Sequence, residues 1–258
     1  MIEIKPIEEL NAQGKKVVIA GPCSAESEAQ LLETASQLSQ MGIKIFRAGI
    51  WKPRTRPNTF EGIGELGLKW LKRVKEETGM KCVIEVANPY HVEKALENGI
   101  DILWLGARTT ASPFAMQDIA LSLKGTDIPV LVKNPINPDI ELWIGALERL
   151  SLAGINRVAA IHRGFSTYGD ITYRNTPIWE IAAELHNRIP ELPILCDPSH
   201  IGGSRELIQP IAEAALSRNY TGLFVEVHNN PDIALSDSNQ QITPATLQTI
   251  LNNLNINL

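Results

Sequence analysis

The chain has 258 residues, of which 44% are hydrophobic and 21% charged, enough to bury one large core in a barrel or in two smaller domains. A formal charge of −5 and an isoelectric point near 5.6 argue against nucleic acid or an anionic membrane as partner, because the overall field would attract neither. The start, MIEIKPIEEL, has no basic stretch leading into an apolar one, and no later run reaches membrane-spanning length, so the expected location is cytoplasmic.

Short runs rich in Val, Ile and Leu alternate with longer segments of helical period, and the alternation repeats eight times. The first run, 17–20 (VVIA), ends in Gly21-Pro22-Cys23-Ser24 and precedes a helix over 26–41. The second, 43–47, leads through FRAGIWKPRTRP, with Arg47, Lys52, Arg54 and Arg56, to a helix over 63–78. The third, 82–86, carries Glu85 before a helix over 90–98, and the fourth, 101–105, leads to GARTTAS with Arg108 and a helix over 114–123.

The fifth run, 129–133, ends in Lys133-Asn134-Pro135 before a helix over 138–153, and the sixth, 157–161, ends in His162-Arg163-Gly164 before a helix over 176–189. The seventh, 193–196, continues as CDPSH with Asp197 and His200, ahead of a helix over 204–218. The eighth, 222–227, carries Glu226, with His228 and Asp237 beyond it, and a helix over 244–254 finishes the chain before an asparagine-rich end expected to fray. Pro138-Asp139 opens one helix, and Gly42, Gly79, Gly99 and Gly154 stand just past the last apolar turn of others.

Continuous apolar strands suggest burial on both faces, and eight strand-helix units favour a (β/α)8 barrel over a doubly wound open sheet. No linker or charge run divides residues 1–258, so one catalytic domain is expected.

A barrel of this kind places its active site at the C-terminal strand ends, where two chemical sets gather. Cys23, His200, Glu226 and Asp237 offer a thiolate, an imidazole and two carboxylates, a donor set for a divalent transition metal in which the sulfur disfavours Mg²⁺ and Ca²⁺. Arg47, Lys52, Arg54, Arg108, Lys133 and Arg163 form a cationic set whose repulsion more than one anionic group would offset, such as two phosphorylated substrates. Three cysteines are too few for a disulfide scaffold. Cys82, Cys196 and His186 read as structural, and His162 and His228 stand evenly between supporting and purely structural roles.

Taken together, GPCS, FRAG with KPRT, GAR, VKNP, HRGF, CDPSH and EVH with a later Asp resemble the type I 3-deoxy-D-arabino-heptulosonate 7-phosphate synthases, over about residues 17–244. The resemblance implies condensation of phosphoenolpyruvate with erythrose 4-phosphate, the entry to the shikimate pathway, in a cytoplasmic homo-oligomer. It also implies metal ligation by Cys23, His200, Glu226 and Asp237, the metal being Mn, Fe, Co or Zn. Phosphoenolpyruvate would meet Arg47, Lys52, Arg108, Lys133 and Arg163, and the aldose phosphate Arg54 and Thr55. Lys52, His200 and Lys133 are the proton-transfer candidates, with Glu85 and Asp197 orienting them.

The related 3-deoxy-D-manno-octulosonate 8-phosphate synthases typically carry Lys-Ala-Asn where this chain has Lys52-Pro53-Arg54-Thr55, which favours erythrose 4-phosphate over arabinose 5-phosphate. The chain looks most like the branch often fused to a C-terminal chorismate mutase, and is expected to be either a catalytic domain separated from that partner or a short unregulated enzyme. Three alternatives are an octulosonate synthase, a silent barrel that docks a chorismate mutase, and a metal-dependent aldolase or hydrolase.

Overall fold

A computed structural model describes residues 2–10, 15–52, 59–169 and 172–258. Eight parallel strands close into one barrel: β1 (Val17–Gly21), β2 (Ile45–Arg47), β3 (Lys81–Val86), β4 (Ile102–Leu105), β5 (Val130–Lys133), β6 (Val158–His162), β7 (Ile194–Cys196) and β8 (Gly222–Glu226). Every strand pairs with its sequence neighbours, and β8 returns to β1 in a register running from Val17 beside Gly222 to Gly21 beside Glu226. The expected (β/α)8 barrel is therefore present, and the open sheet is excluded.

The helices are α1 (Glu28–Gln40), α2 (Leu66–Thr78), α3 (Pro89–Glu97), α4 (Ala107–Thr110), α5 (Pro113–Leu123), α6 (Ile140–Leu152), α7 (Trp179–Arg188), α8 (Pro198–Gly202), α9 (Ile208–Leu216) and α10 (Pro244–Asn253). Their starts use side-chain caps: Ser27, Asn88, Asp139 and Thr243 accept from backbone N–H groups three residues on. Gly79 closes α2 in the left-handed region, its N–H donating to Lys75 O at 2.9 Å.

Several elements differ from the sequence expectation. The short α4 and α8 complete too few turns to show an apolar period. The segment expected as one helix over 204–218 begins as a 3-10 turn, Arg205–Leu207, and α7 begins only after a bridge between Phe165 and Thr176. The asparagine-rich end does not fray: Ile256 packs into the core, and Lys15 Nζ donates to Leu258 O at 3.1 Å.

Strand alternation separates two apolar layers. One set of residues, including Val18, Phe46, Ile84, Leu103 and Val132, packs outward under the helices. The other, including Ile19, Ile45, Val83, Leu131 and Phe224, fills the lumen, and Ile7 and Leu10 from the N-terminal segment join it. The barrel is thus a packed column with an apolar base.

His162, the last residue of β6, belongs to the outward set. Its ring is fully buried, edge-on to Trp179 at 5.3 Å, with Nε2 2.5 Å from Pro177 O and Nδ1 2.7 Å from Tyr220 Oη. A carbonyl only accepts, so Nε2 carries the proton and Nδ1 accepts from Tyr220. Burial pushes the imidazole down to about 4. The unfolded chain, with an ordinary histidine near 6.5, binds the extra proton first, so stability must fall as pH falls from about 6.5 to about 4. The expected loss from this group is roughly 3 kcal/mol. Urea unfolding across that pH range checks it, and an unchanged slope in a folded His162→Gln variant would refute the assignment.

Candidate functional site

The parity that builds the lumen also aims the site. Two residues above an apolar lumen residue, each of several strands carries a charge or follows with one: Ile45 and Arg47, Val83 and Glu85, Leu131 and Lys133, Leu195 and Asp197, Phe224 and Glu226. The floor beneath them is Trp104 edge-on to Phe224, with ring centroids 5.3 Å apart. Arg47 lies over both rings, 4.9 Å from Trp104 and 4.4 Å from Phe224, and its Nη2 donates to Glu226 Oε1 at 3.0 Å. Its Nε and Nη1 are buried without a hydrogen-bond partner among the described residues. Such orphaned donors are costly, and an anion above the floor would satisfy them.

Sulfur and two carboxylates converge beside Arg47. One ligand-type atom from each of Cys23, Glu226 and Asp237 lies within 4.8 Å of the others. Cys23 N donates to Gln241 Oε1 at 2.9 Å, Cys23 Sγ is 3.0 Å from Ser236 Oγ and 3.4 Å from Asp237 Oδ2, and Gln240 Nε2 donates to Glu226 Oε2 at 2.6 Å. Asp237 adopts a left-handed backbone, which a short polar residue tolerates.

His200, the fourth expected ligand, sits on α8 with Nε2 3.8 Å from Glu226 Oε1, outside the mutual spacing of the other three. Asp197 caps α8 through Oδ1 to His200 N at 3.0 Å, while its Oδ2 lies 2.9 Å from Lys133 Nζ and 2.8 Å from His200 Nδ1. The last contact is a close approach without hydrogen-bond alignment.

The donor set fits a divalent cation. Burial first, and then the Glu226 charge, push the Cys23 thiol up to about 12, and burial holds the His200 imidazole below its ordinary value. A positive ion among these groups would relieve the crowding of Cys23 by two carboxylates. Burial opposes the charge of Lys52, but Cys23, Glu85 and Glu226 more than offset it and hold its pKa above the ordinary value. Lys52 Nζ reaches Cys23 Sγ at 3.2 Å and Cys23 O at 3.1 Å. It is held from behind by Lys52 N to Glu61 O at 2.9 Å and by Trp51 stacked on His91 at 4.0 Å.

A cavity of about 160 Å³ opens above these groups, and Lys52, Glu85, Arg108, Lys133, Arg163 and His200 face it. Burial lowers Lys133 despite its Asp197 partner, and lowers Arg163 to about 10, so the Arg163 guanidinium keeps its charge at neutral pH. Asn134 Oδ1 accepts from Arg163 N at 2.7 Å and Asn175 Oδ1 from Arg163 Nη1 at 2.6 Å. Arg54, Thr55 and Arg56 lie outside the described residues. A larger and more apolar cavity, about 330 Å³, lies between α7 and the start of β8 and contains none of the candidate site residues.

Cys82 and Cys196 are buried in the outward layer, and His162 supports that layer rather than the cavity. His228 accepts from Asn230 N at 2.9 Å and lies 3.7 Å from Glu26, a local structural place. Sequence reasoning missed Arg174, Asn175, Ser236, Gln240 and Gln241. All five reach the site from the connections that follow β6 and β8, where no period marks a direction; the Gln240-Gln241 pair shortly after Asp237 is the available signal.

The chain has known relatives in both sequence and fold. A profile of the DAHP synthetase I family matches residues 2–257. A Thermotoga maritima protein, phospho-2-dehydro-3-deoxyheptonate aldolase, is 37% identical over 230 residues, covering 89% of this chain and 66% of its own length. The chain thus spans just under two thirds of that relative. A 2-dehydro-3-deoxyphosphooctonate aldolase of Vesicomyosocius okutanii is 28% identical over 256 residues, covering 92% of this chain and 88% of its own. Among solved structures, a truncated 3-deoxy-D-arabino-heptulosonate 7-phosphate synthase from Thermotoga maritima superposes with a TM-score of 0.83 at 30% identity, covering 98% of this chain and 91% of that one. A closed barrel with these strand ends and a profile match along almost its entire length make this chain a member of the DAHP synthetase I family.

Proposed function

We propose that the chain condenses phosphoenolpyruvate with erythrose 4-phosphate and water to give 3-deoxy-D-arabino-heptulosonate 7-phosphate and inorganic phosphate. One observation carries the reading: the Cys23, Glu226 and Asp237 donor group and the cation-lined cavity share one end of one lumen. A phosphorylated enol and an aldehyde bound there would meet beside both.

Arg47, Arg108, Lys133 and Arg163 hold phosphoenolpyruvate, the two unpartnered nitrogens of Arg47 taking up part of its negative charge. Arg54 and Thr55 take the aldose phosphate. With both substrates fixed, C3 of the enol attacks the aldehyde carbon, water adds at C2, and the tetrahedral phosphate ester expels inorganic phosphate. Lys52, kept protonated by its anionic neighbours, donates a proton to the aldehyde oxygen as it becomes an alkoxide. The Asp197, His200 and Lys133 cluster receives a proton from the incoming water, and Glu85 orients Lys52. A divalent ion held by Cys23, His200, Glu226 and Asp237 would supply Lewis acidity towards an oxygen of the aldehyde or of water.

Phosphate release from phosphoenolpyruvate, followed with erythrose 4-phosphate and in parallel with arabinose 5-phosphate, tests the activity. Turnover with erythrose 4-phosphate, abolished by a chelator and restored by Mn²⁺, is expected. Activity with the pentose alone would make the chain an octulosonate synthase, and binding of phosphoenolpyruvate without turnover would favour the silent barrel. Cys23→Ser should lower metal content and rate together, and unchanged values of both would remove Cys23 from the ligand set. Lys52→Met should keep its metal while kcat falls about 10²-fold or more, as loss of a proton donor requires; metal analysis beside steady-state kinetics separates the two.

A further inference from the structure

Arg174 faces the same cavity as the cations named above but is tied to the opposite chemical set. It lies on the connection between β6 and α7, and its Nη1 is 3.2 Å from Asp237 Oδ1 while also donating to Gln240 Oε1. Gln240 in turn donates to Glu226 at 2.6 Å. A guanidinium therefore rests on one of the carboxylates that converge with the Cys23 sulfur.

The arrangement fixes the stem and leaves the head half-exposed, held by Asp237 and Gln240. Arg174 N donates to Gly202 O at 3.4 Å and Asn175 N to Ile201 O at 3.2 Å, so the backbone is pinned to α8. A Cβ on Gly203, whose φ is +70°, would stand 2.5 Å from Arg174 Cβ, so the stem rests where only glycine leaves room. The Arg174 side chain is 47% exposed, against 1% for Arg47 and 6% for Lys133. Arg47 and Lys133 lie buried above the aromatic floor, whereas Arg174 stands at the mouth, where the outer of two anions would sit.

A divalent cation and this guanidinium compete for Asp237. Bringing the ion to the Cys23, Glu226 and Asp237 group repels Arg174 and weakens its ion pair, and a phosphate at the mouth is the remaining strong partner for a planar guanidinium. We propose that Arg174 is the counter-ion which Asp237 exchanges for the metal, and that the released guanidinium then binds the phosphate of the aldose. Metal occupancy thereby becomes a condition for tight aldose binding. The inference rests on the reaction proposed above and deepens it.

The test uses Arg174→Met, which keeps an unbranched stem and removes the charge. In calorimetric titration with Mn²⁺ alone, this variant should bind the ion roughly threefold to tenfold more tightly than the parent protein, because a competing cation is gone. In steady-state assays its KM for erythrose 4-phosphate should rise on the order of tenfold, while that for phosphoenolpyruvate stays within about twofold. Arg174→Lys should return Mn²⁺ affinity towards the parent value. Unchanged or weaker Mn²⁺ binding by Arg174→Met would overturn the exchange, and an unchanged KM for the aldose would overturn the phosphate role. Because the titration contains no substrate, a parent protein inert towards erythrose 4-phosphate would refute the proposed reaction while leaving the Mn²⁺ comparison decisive for the exchange.

Discussion

The upper half of the barrel depends on the ion pair between Arg47 and Glu226, 3.0 Å long and 1% and 0% exposed. Removing two charges from water costs several kcal/mol per ion, so the pair persists only because other groups share the burden. Two aromatic faces lie under Arg47, Gln240 donates to Glu226, and Ser199 Oγ accepts from Glu226 N at 3.0 Å. The pair links β2 to β8 across β1, where the barrel closes. It also joins the two chemical halves of the site, since Glu226 belongs to the donor group and Arg47 to the cation set.

From that junction the charges alternate outward. Asp197 sits between Lys133 and His200, Glu226 between Arg47 and His200, and Asp237 between Cys23 and Arg174. Each buried carboxylate has a cation or an imidazole beside it, and this, rather than exposure to water, keeps Glu226 and Asp197 ionised against their burial. The same ordering explains why the cations can crowd around one cavity. Their repulsion is partly offset within the protein and otherwise left for an anionic ligand to offset, as the two orphaned nitrogens of Arg47 indicate.

How much of this was legible in the sequence follows from the strand period. Arg47, Glu85, Lys133 and Glu226 could be placed at one end of one lumen because a strand alternates strictly and a parallel barrel gives all its strands one direction. Cys23, Asp197 and His200 extend the same logic by a few residues. Arg174, Gln240 and Ser236 had no such ruler, since their directions are set by turns whose shape arises only when the β6 and β8 connections meet over the lumen. His162 was ambiguous for a related reason: it ends a strand beside a site residue, and only its outward parity shows that it serves the helix layer. The asparagine-rich end reads as fraying because a lone Ile256 has no pattern, although it finds a place in the core.

Ile7 and Leu10 at the base of the lumen have a consequence for traffic. With that end filled by side chains, the site is a blind well, and every molecule that reaches Arg47 enters and leaves by the mouth formed by the strand-end connections. Where an occupant of the mouth blocks that route, a ligand seated over the floor must arrive first and leave last. Queueing of this kind needs no moving part, because it follows from a tube closed at one end.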